Sequence, residues 1–282
     1  MSMGTELKRR LTAALAWGAV VLASIPIGWM LLGSLQDSGD ILTGQAARGA
    51  GLRWSNYLDL WTQIDFFSYF TNSLLVCSLT TLFSTVFSVC AAYALARFPF
   101  PGAHAITLSI TATQVIPGML FFLPVYMMYR MVEQRWSIPL LDTSYGLVLL
   151  YTALFTPASI WVMRGFFVSV PRELEEAALI DGCGRFEAFW RVVLPTCLPG
   201  MIATATFVFL LAWDELFFAS LLTQSPSVQT LPAGIRLFIS QYQQRYDLLM
   251  AAGVVTTVPV LVAFFLAQRW FVKGLTAGAL KG

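Results

Sequence analysis

Six long apolar stretches separated by short polar ones set the pattern of this chain. They run over Leu11–Leu35, Phe70–Ala96, Ala105–Tyr129, Tyr145–Met163, Leu198–Leu222 and Leu248–Gln268, and only the fifth contains acidic or basic residues, the pair Asp214-Glu215. Crossing a bilayer takes about 20 apolar helical residues, so each stretch predicts one membrane-spanning helix. The first follows Lys8-Arg9-Arg10 as a secretory signal would. Its apolar run exceeds the roughly 7–15 residues of a signal core, and no small-x-small cleavage pattern follows, so it reads as a retained helix. Between spans two and three, "RFPFPGAH" predicts a tight turn. Pro117, Pro124 and Pro157 fall inside spans, which lipid tolerates where neighbouring helices or local 3₁₀ and π adjustments satisfy the freed carbonyls. The segment from Gln36 to about Tyr69 has turn signals at Asp37-Ser38-Gly39 and Arg48-Gly49-Ala50-Gly51. It then gives an amphipathic piece, "NYLDLWTQIDFFSYF", expected at the membrane interface. The stretch between spans five and six begins polar and becomes amphipathic at Leu237, Phe238 and Tyr242; it suits either a plain connector or a surface for an external partner.

Composition sharpens this picture. Only 11% of the 282 residues are charged against 57% hydrophobic, and mean hydropathy is +0.72, where soluble domains carry about a quarter charged residues. A net charge of +2 gives no case for nucleic acid. Cys77, Cys90, Cys183 and Cys197 lack metal-ligand or C-x-x-C spacing and read as small apolar fillers. Eleven basic residues fall on the side of the N-terminus and six on the other, which predicts both termini in the cytoplasm.

One segment departs from this pattern. Glu173 to Pro195 holds five acids and two arginines in 23 positions, on the side predicted to be cytoplasmic. Pro171 fits the first turn of a helix, Glu173, Glu175 and Glu176 complement its positive end, and Gly182 suits a left-handed helix end. Leu174, Ala177 and Ala178 form a narrow face. In a second helix Phe186, Phe189, Trp190 and Val193 recur at i, i+3, i+4 and i+7. A lipid-resting helix would favour Lys and Arg on its polar face, and a solvated loop would not carry the aromatic face. The third reading is a hairpin that fits a groove in a cytoplasmic partner.

The pair Asp214-Glu215 is costly inside a membrane and must face the bundle or water. A structural hydrogen bond, a part in a gate or solute path, and proton coupling are the three roles open to it. Gln114 is a weaker case of the same kind, and Trp213 offers a stacking face for a sugar ring. No phosphate loop, zinc-hydrolase or nucleophile-elbow pattern is present, so any ATP-driven chemistry belongs to another chain.

The run Glu176-Ala177-Ala178, three residues, Gly182, nine residues, Val192-x-Leu194-Pro195 resembles the EAA loop of permease subunits of bacterial ABC importers. "NSLLV" (72–76), "AYALARFPFPG" (92–102), "LAWDELFFASLL" (211–222), "TLPAGI" (230–235) and "FVKGLTAGALKG" (271–282) extend the likeness to carbohydrate permeases of the maltose type. The resemblance implies an all-α membrane protein of the type I importer permease fold. Its six transmembrane helices would divide into an N-terminal helix and external segment (1–65), a core with five helices and the EAA loop at 171–195 (66–270), and a cytoplasmic tail (271–282). It implies a sugar or polyol permease in the bacterial inner membrane. The alternatives are a non-sugar solute or a proton-coupled secondary transporter. Implied partners are a second permease subunit, two cytoplasmic ATPase subunits that bind ATP and Mg, an external solute-binding protein and lipid, with no cofactor or metal in this chain. Implied ATPase-coupling residues are Glu176, Ala177, Ala178, Gly182, Phe186, Phe189, Trp190, Leu194 and Pro195. Gln114, Trp213, Asp214 and Glu215 are candidates for the path or gate, with Asp214 standing where many relatives have Asn. Gln229, Leu231, Pro232 and Gly234 are candidates for contact with the binding protein.

Overall fold

The computed structural model describes residues 3–43, 51–62, 65–236 and 245–279, and among these every regular element is helical. Leu237, Phe238 and Tyr242, the turn at Arg48-Gly49-Ala50 and Lys281 lie outside the described residues. Helices Met3–Gly33 (α1), Phe66–Arg97 (α4), Ser144–Ser169 (α7) and Tyr246–Ala279 (α14) each contain a segment long and apolar enough to cross a membrane unbroken. Six spans result when two bent pairs are each counted as one. Helix α14 runs without interruption through residue 270 to Ala279.

The first bent pair corrects the third predicted span. Ala103–Val115 (α5) ends at an extended Ile116, a single 3₁₀ turn covers Gly118–Phe121, and Phe122–Trp136 (α6) leaves at 96°. Pro117 disfavours the helical region for the residue before it, and Ile116 obeys, with ψ 123°. Pro124 falls in the first turn of α6, where no N–H is needed, and Pro157 sits within an unbroken α7. The second bent pair joins residues Arg185–Thr196 to Leu198–Trp213 (α11) at 70°. Beyond it the fifth predicted span breaks, since α11 stops at Asp214 and a short helix, Phe217–Leu222 (α12), follows.

The chain forms two compact units. The smaller comprises residues 1–66 and 235–258. There Asn56, buried on Ser55–Thr62 (α3), donates to the carbonyls of Ser34 (3.0 Å) and Gln36 (2.8 Å), satisfying acceptors freed where α1 ends. The amphipathic piece therefore turns Asn56 and Leu60 inward and leaves Leu58 exposed. Ser38–Thr43 (α2) is tied at its start by Ser38, which donates to Asp247 (2.5 Å), itself paired with Arg245.

The larger unit comprises residues 67–234 and 259–282. Its core joins Val89 and Ala92 of α4 to Ile160, Met163 and Phe167 of α7, and to Val193 and Cys197 just before α11. Gly200 lets α11 approach α7: a Cβ there would come within 2.3 Å of the Phe166 ring. Gly165 has open space around it. Gly200→Ala is therefore expected to lower the thermal stability of the detergent-solubilised chain by about 1–3 kcal/mol, whereas Gly165→Ala leaves it level or slightly raised. Equal melting temperatures for the two variants would overturn this account of the α7–α11 contact.

Candidate functional site

The polar segment forms the hairpin its residues predict. Arg172–Ile180 (α8) follows Pro171 and closes with Asp181 and Gly182, whose φ is +92°. The Cys183 N–H reaches the Ala178 carbonyl (3.0 Å) and the Gly182 N–H that of Leu179 (3.1 Å), the paired bonds of a Schellman ending. Any side chain at 182 would strain the left-handed backbone, although the space beside it is open. Arg185–Ala188 (α9) continues as a π-helical turn over Phe189–Val193 and a last turn over Leu194–Thr196 (α10). Pro195 has no N–H to offer the carbonyl four residues back, and the Leu194 N–H reaches instead five back, to Phe189.

This turn divides the aromatic face that spacing had assigned as one surface. Val193 is buried in the core, and Phe189 and Leu194 pack against it, with the Phe189 ring 4.4 Å from Tyr93. Phe186 (77% exposed) and Trp190 (61%) stack on each other at 6.4 Å and 15° with no cover. On α8 likewise Ala178 is buried, while Glu176, Ala177 and Leu174 face outward. Of the sequence candidates, Phe189, Val193, Leu194 and Ala178 hold the hairpin in place; Glu176, Phe186 and Trp190 are presented.

The hairpin is fastened to α4 by residues that sequence reasoning did not connect. Arg97, the last residue of α4, has a side chain only 6% exposed, and its Nε lies 3.2 Å from Glu175 Oε2, a carboxylate 14% exposed. Its guanidinium also donates to the Val170 carbonyl (2.9 Å), and Tyr93 donates to Glu175 Oε1 (2.7 Å). Arg185 lies over the Phe98 ring at 5.8 Å. Glu176, Leu179, Arg172 and Arg185 line a shallow pocket with Arg97, Phe98 and Glu175. The signal was present: Arg97 is the one basic residue at that end of span two, and Tyr93 precedes it by one helical turn.

The second candidate region separates two adjacent acids. Glu215 caps α12, accepting from the N–H groups of Phe218 (2.9 Å) and Ala219 (3.0 Å) and from the Tyr151 hydroxyl (2.5 Å). Both of its oxygens therefore accept hydrogen bonds that fix the start of α12 and its contact with α7. Trp213 is 6% exposed, stacked on Phe209 (5.6 Å) and edge-on to Phe70 (6.0 Å), and offers no free ring face. Asp214, at the end of α11, is exposed at the break. Gln114 is exposed one residue before the end of α5.

At the opposite end of α4, Asn72 donates to the carbonyls of Ser227 (2.9 Å) and Gln229 (3.1 Å), and the Leu231 N–H donates to Ser73 Oγ (2.7 Å). Leu231–Ile235 (α13) packs so closely that a Cβ at Gly234 would meet the Tyr69 ring at 2.4 Å. Gln229, Leu231 and Gly234 are buried and Pro232 is half-buried. These candidate contacts are thus anchors of their own segment, and the side chains held outward are Gln224, Pro226 and Ser227.

Comparison with known proteins agrees with this architecture. Residues 84–277 match the family model described as "Binding-protein-dependent transport system inner membrane component". The chain is 33% identical over 258 residues to a diacetylchitobiose uptake system permease protein, DasC, of Streptomyces coelicolor, covering 91% of each chain. It is 32% identical to a trehalose/maltose transport system permease protein, MalG, of Thermococcus litoralis, covering 94% of this chain and 95% of that one. Its fold is similar to a chain in the crystal structure of a bacterial ABC transporter involved in import of the acidic polysaccharide alginate, with a TM-score of 0.77 at 19% identity, over 96% of this chain and 99% of the other.

Removing one member of a buried ion pair costs about 3–5 kcal/mol. Arg97→Ala and Glu175→Ala are each expected to destabilise the detergent-solubilised chain on that scale, and the double variant by much less than their sum. Additive losses in thermal unfolding would mean that the two side chains act independently.

Proposed function

We propose that this chain, which belongs to the family of inner membrane components of binding-protein-dependent transport systems, forms one half of the solute path of an ATP-driven importer for a sugar or polyol. It is a multi-pass permease subunit. The solute class rests on its likeness to permeases named for diacetylchitobiose and for trehalose and maltose. A second, non-identical permease completes the path, a binding protein delivers solute from outside, and two ATPase subunits bind ATP and Mg at the cytoplasmic side. The excess of basic residues supports a cytoplasmic hairpin and cytoplasmic termini.

The observation that carries this reading is the exposed Phe186–Trp190 stack on a hairpin that Glu175, Phe189 and Val193 fasten to α4 and α7. Large aromatic side chains without cover on a rigid arm are the anchors a partner groove takes. Movement of the ATPases presses on this pair, and because Glu175 is held by Arg97 and Tyr93, the push passes into α4 as a lever motion between outward- and inward-facing states. The breaks at Val115–Gly118 and Asp214–Leu216 put irregular backbone at membrane depth, which is stable only where it lines a cavity or lies against protein. Asp214 and Gln114 are therefore the candidates to meet solute or water.

In the reconstituted complex, replacing Phe186 and Trp190 together by Ala is expected to reduce solute uptake and binding-protein-stimulated ATP hydrolysis at least ~30-fold, as loss of an interface hot spot does. Folding of the chain should be unchanged because both rings are exposed. Glu176→Lys is expected to act in the same direction. Uptake that proceeds in step with hydrolysis in these variants would overturn the lever; uptake that survives ATP depletion and collapses with the proton gradient would favour the proton-coupled rival.

A further inference from the structure

Asp142 lies in the loop between α6 and α7, and no part of the coupling hairpin or the solute path accounts for it. Its backbone is in the left-handed region, φ 54°, which costs a residue with a side chain least when that residue is Asp or Asn. From there it makes a four-bond clip to the last residue of α12 and the segment after it. Its own N–H donates to the Leu222 carbonyl (2.7 Å). Its Oδ1 accepts from the N–H groups of Gln224 (2.9 Å) and Ser225 (2.9 Å), and its Oδ2 accepts from the Ser225 hydroxyl. Burial by itself would raise the carboxyl's pKa, but these hydrogen bonds outweigh it and hold the group below its usual range.

The loop that carries Asp142 is itself fixed. Leu141 N–H donates to Glu133 (2.9 Å), Tyr129 donates to the Gly146 carbonyl (2.8 Å), and Tyr145 donates to the Pro139 carbonyl. Gly146 has no room for a Cβ, which would lie 2.0 Å from the Leu140 carbonyl oxygen. On the far side of the tip, Asn72 and Ser73 hold residues 227–231. The five residues Gln224 to Val228 are thus gripped at both ends, by Asp142 on one side and by α4 on the other. Their exposed members are Gln224, Pro226 and Ser227. A loop of small and polar residues would sample many conformations if released, and holding it in one removes an ordering cost from any partner that binds it.

We infer that Asp142 is a positioning residue that presents the Gln224–Ser227 tip, in one fixed conformation, to the external solute-binding protein. This rests on the reading of the chain as a binding-protein-dependent permease. Asp142 touches neither the solute nor the binding protein; it acts through the tip.

The test uses the complete transporter in lipid nanodiscs with its loaded binding protein, and reads ATP hydrolysis against binding-protein concentration. Asp142→Gly removes the carboxylate while easing the left-handed backbone; Asp142→Asn keeps an acceptor oxygen and tolerates that backbone. Asp142→Gly is expected to raise the half-saturating concentration of binding protein roughly tenfold with the maximal rate within about twofold, and Asp142→Asn to restore most of the loss. Ser225→Ala should shift half-saturation in the same direction by less. As a second readout, a spin label at Ser227→Cys should become more mobile with Asp142→Gly. Unchanged half-saturation in Asp142→Gly, a fall in maximal rate alone, or equal behaviour of the Gly and Asn variants would overturn the inference. If hydrolysis in the unsubstituted complex does not respond to any binding protein, the functional reading itself fails, an outcome distinct from these.

Discussion

A guanidinium at the end of a 32-residue apolar helix cannot be withdrawn from water without a carboxylate to meet it, and the larger unit is organised around how Arg97 meets that demand. Its partner, Glu175, lies on α8 rather than on a neighbouring span, so the charge that ends α4 is neutralised by the hairpin. Tyr93 shares the same carboxylate, and its ring packs between Phe167 and Phe189. One buried pair therefore joins the polar hairpin to α4, while the aromatic packing beside it joins α7 and the π turn to the same place. The hairpin is tied to the bundle because Glu175 is held by a span.

With one face of the hairpin committed inward, the other, with Phe186 and Trp190, is exposed. The π turn sets the division, since it rotates Phe189 and Val193 toward the core relative to Phe186 and Trp190. Elsewhere the bundle contains irregular backbone where a membrane protein can least tolerate it, and the freed groups are met locally. Glu215 supplies two acceptors to the start of α12 and takes a proton donor from Tyr151. An acid deep in the predicted span in this way supports the break it sits in, and its neighbour Asp214 is left exposed.

Much of this was legible in the residues. The charge-free stretches marked the spans, Pro171 and Gly182 marked the ends of α8, and the run from Glu176 to Pro195 marked the family. Spacing failed where the answer depended on a second element. Glu175 and Glu176 are chemically identical and adjacent, and only the position of Arg97 decides which is paired and which is presented. Trp213 carries an aromatic face at a suggestive depth, but Phe70 and Phe209 take it. Gln229, Leu231 and Gly234 sit in a polar-looking loop, yet Ser73, Asn72 and Tyr69 draw that segment inward.

By itself, then, the sequence determined that the chain spans a membrane, roughly where, and that one amphipathic hairpin stands apart from the spans. These follow from composition and periodicity, which are local properties of a helix and its solvent. The tertiary structure alone decided which spans are broken, which member of each pair of like residues is used internally, and which side chains remain for partners. Those outcomes depend on hydrogen bonds and packing between residues as much as 209 positions apart, and no local pattern encodes the identity of a distant partner.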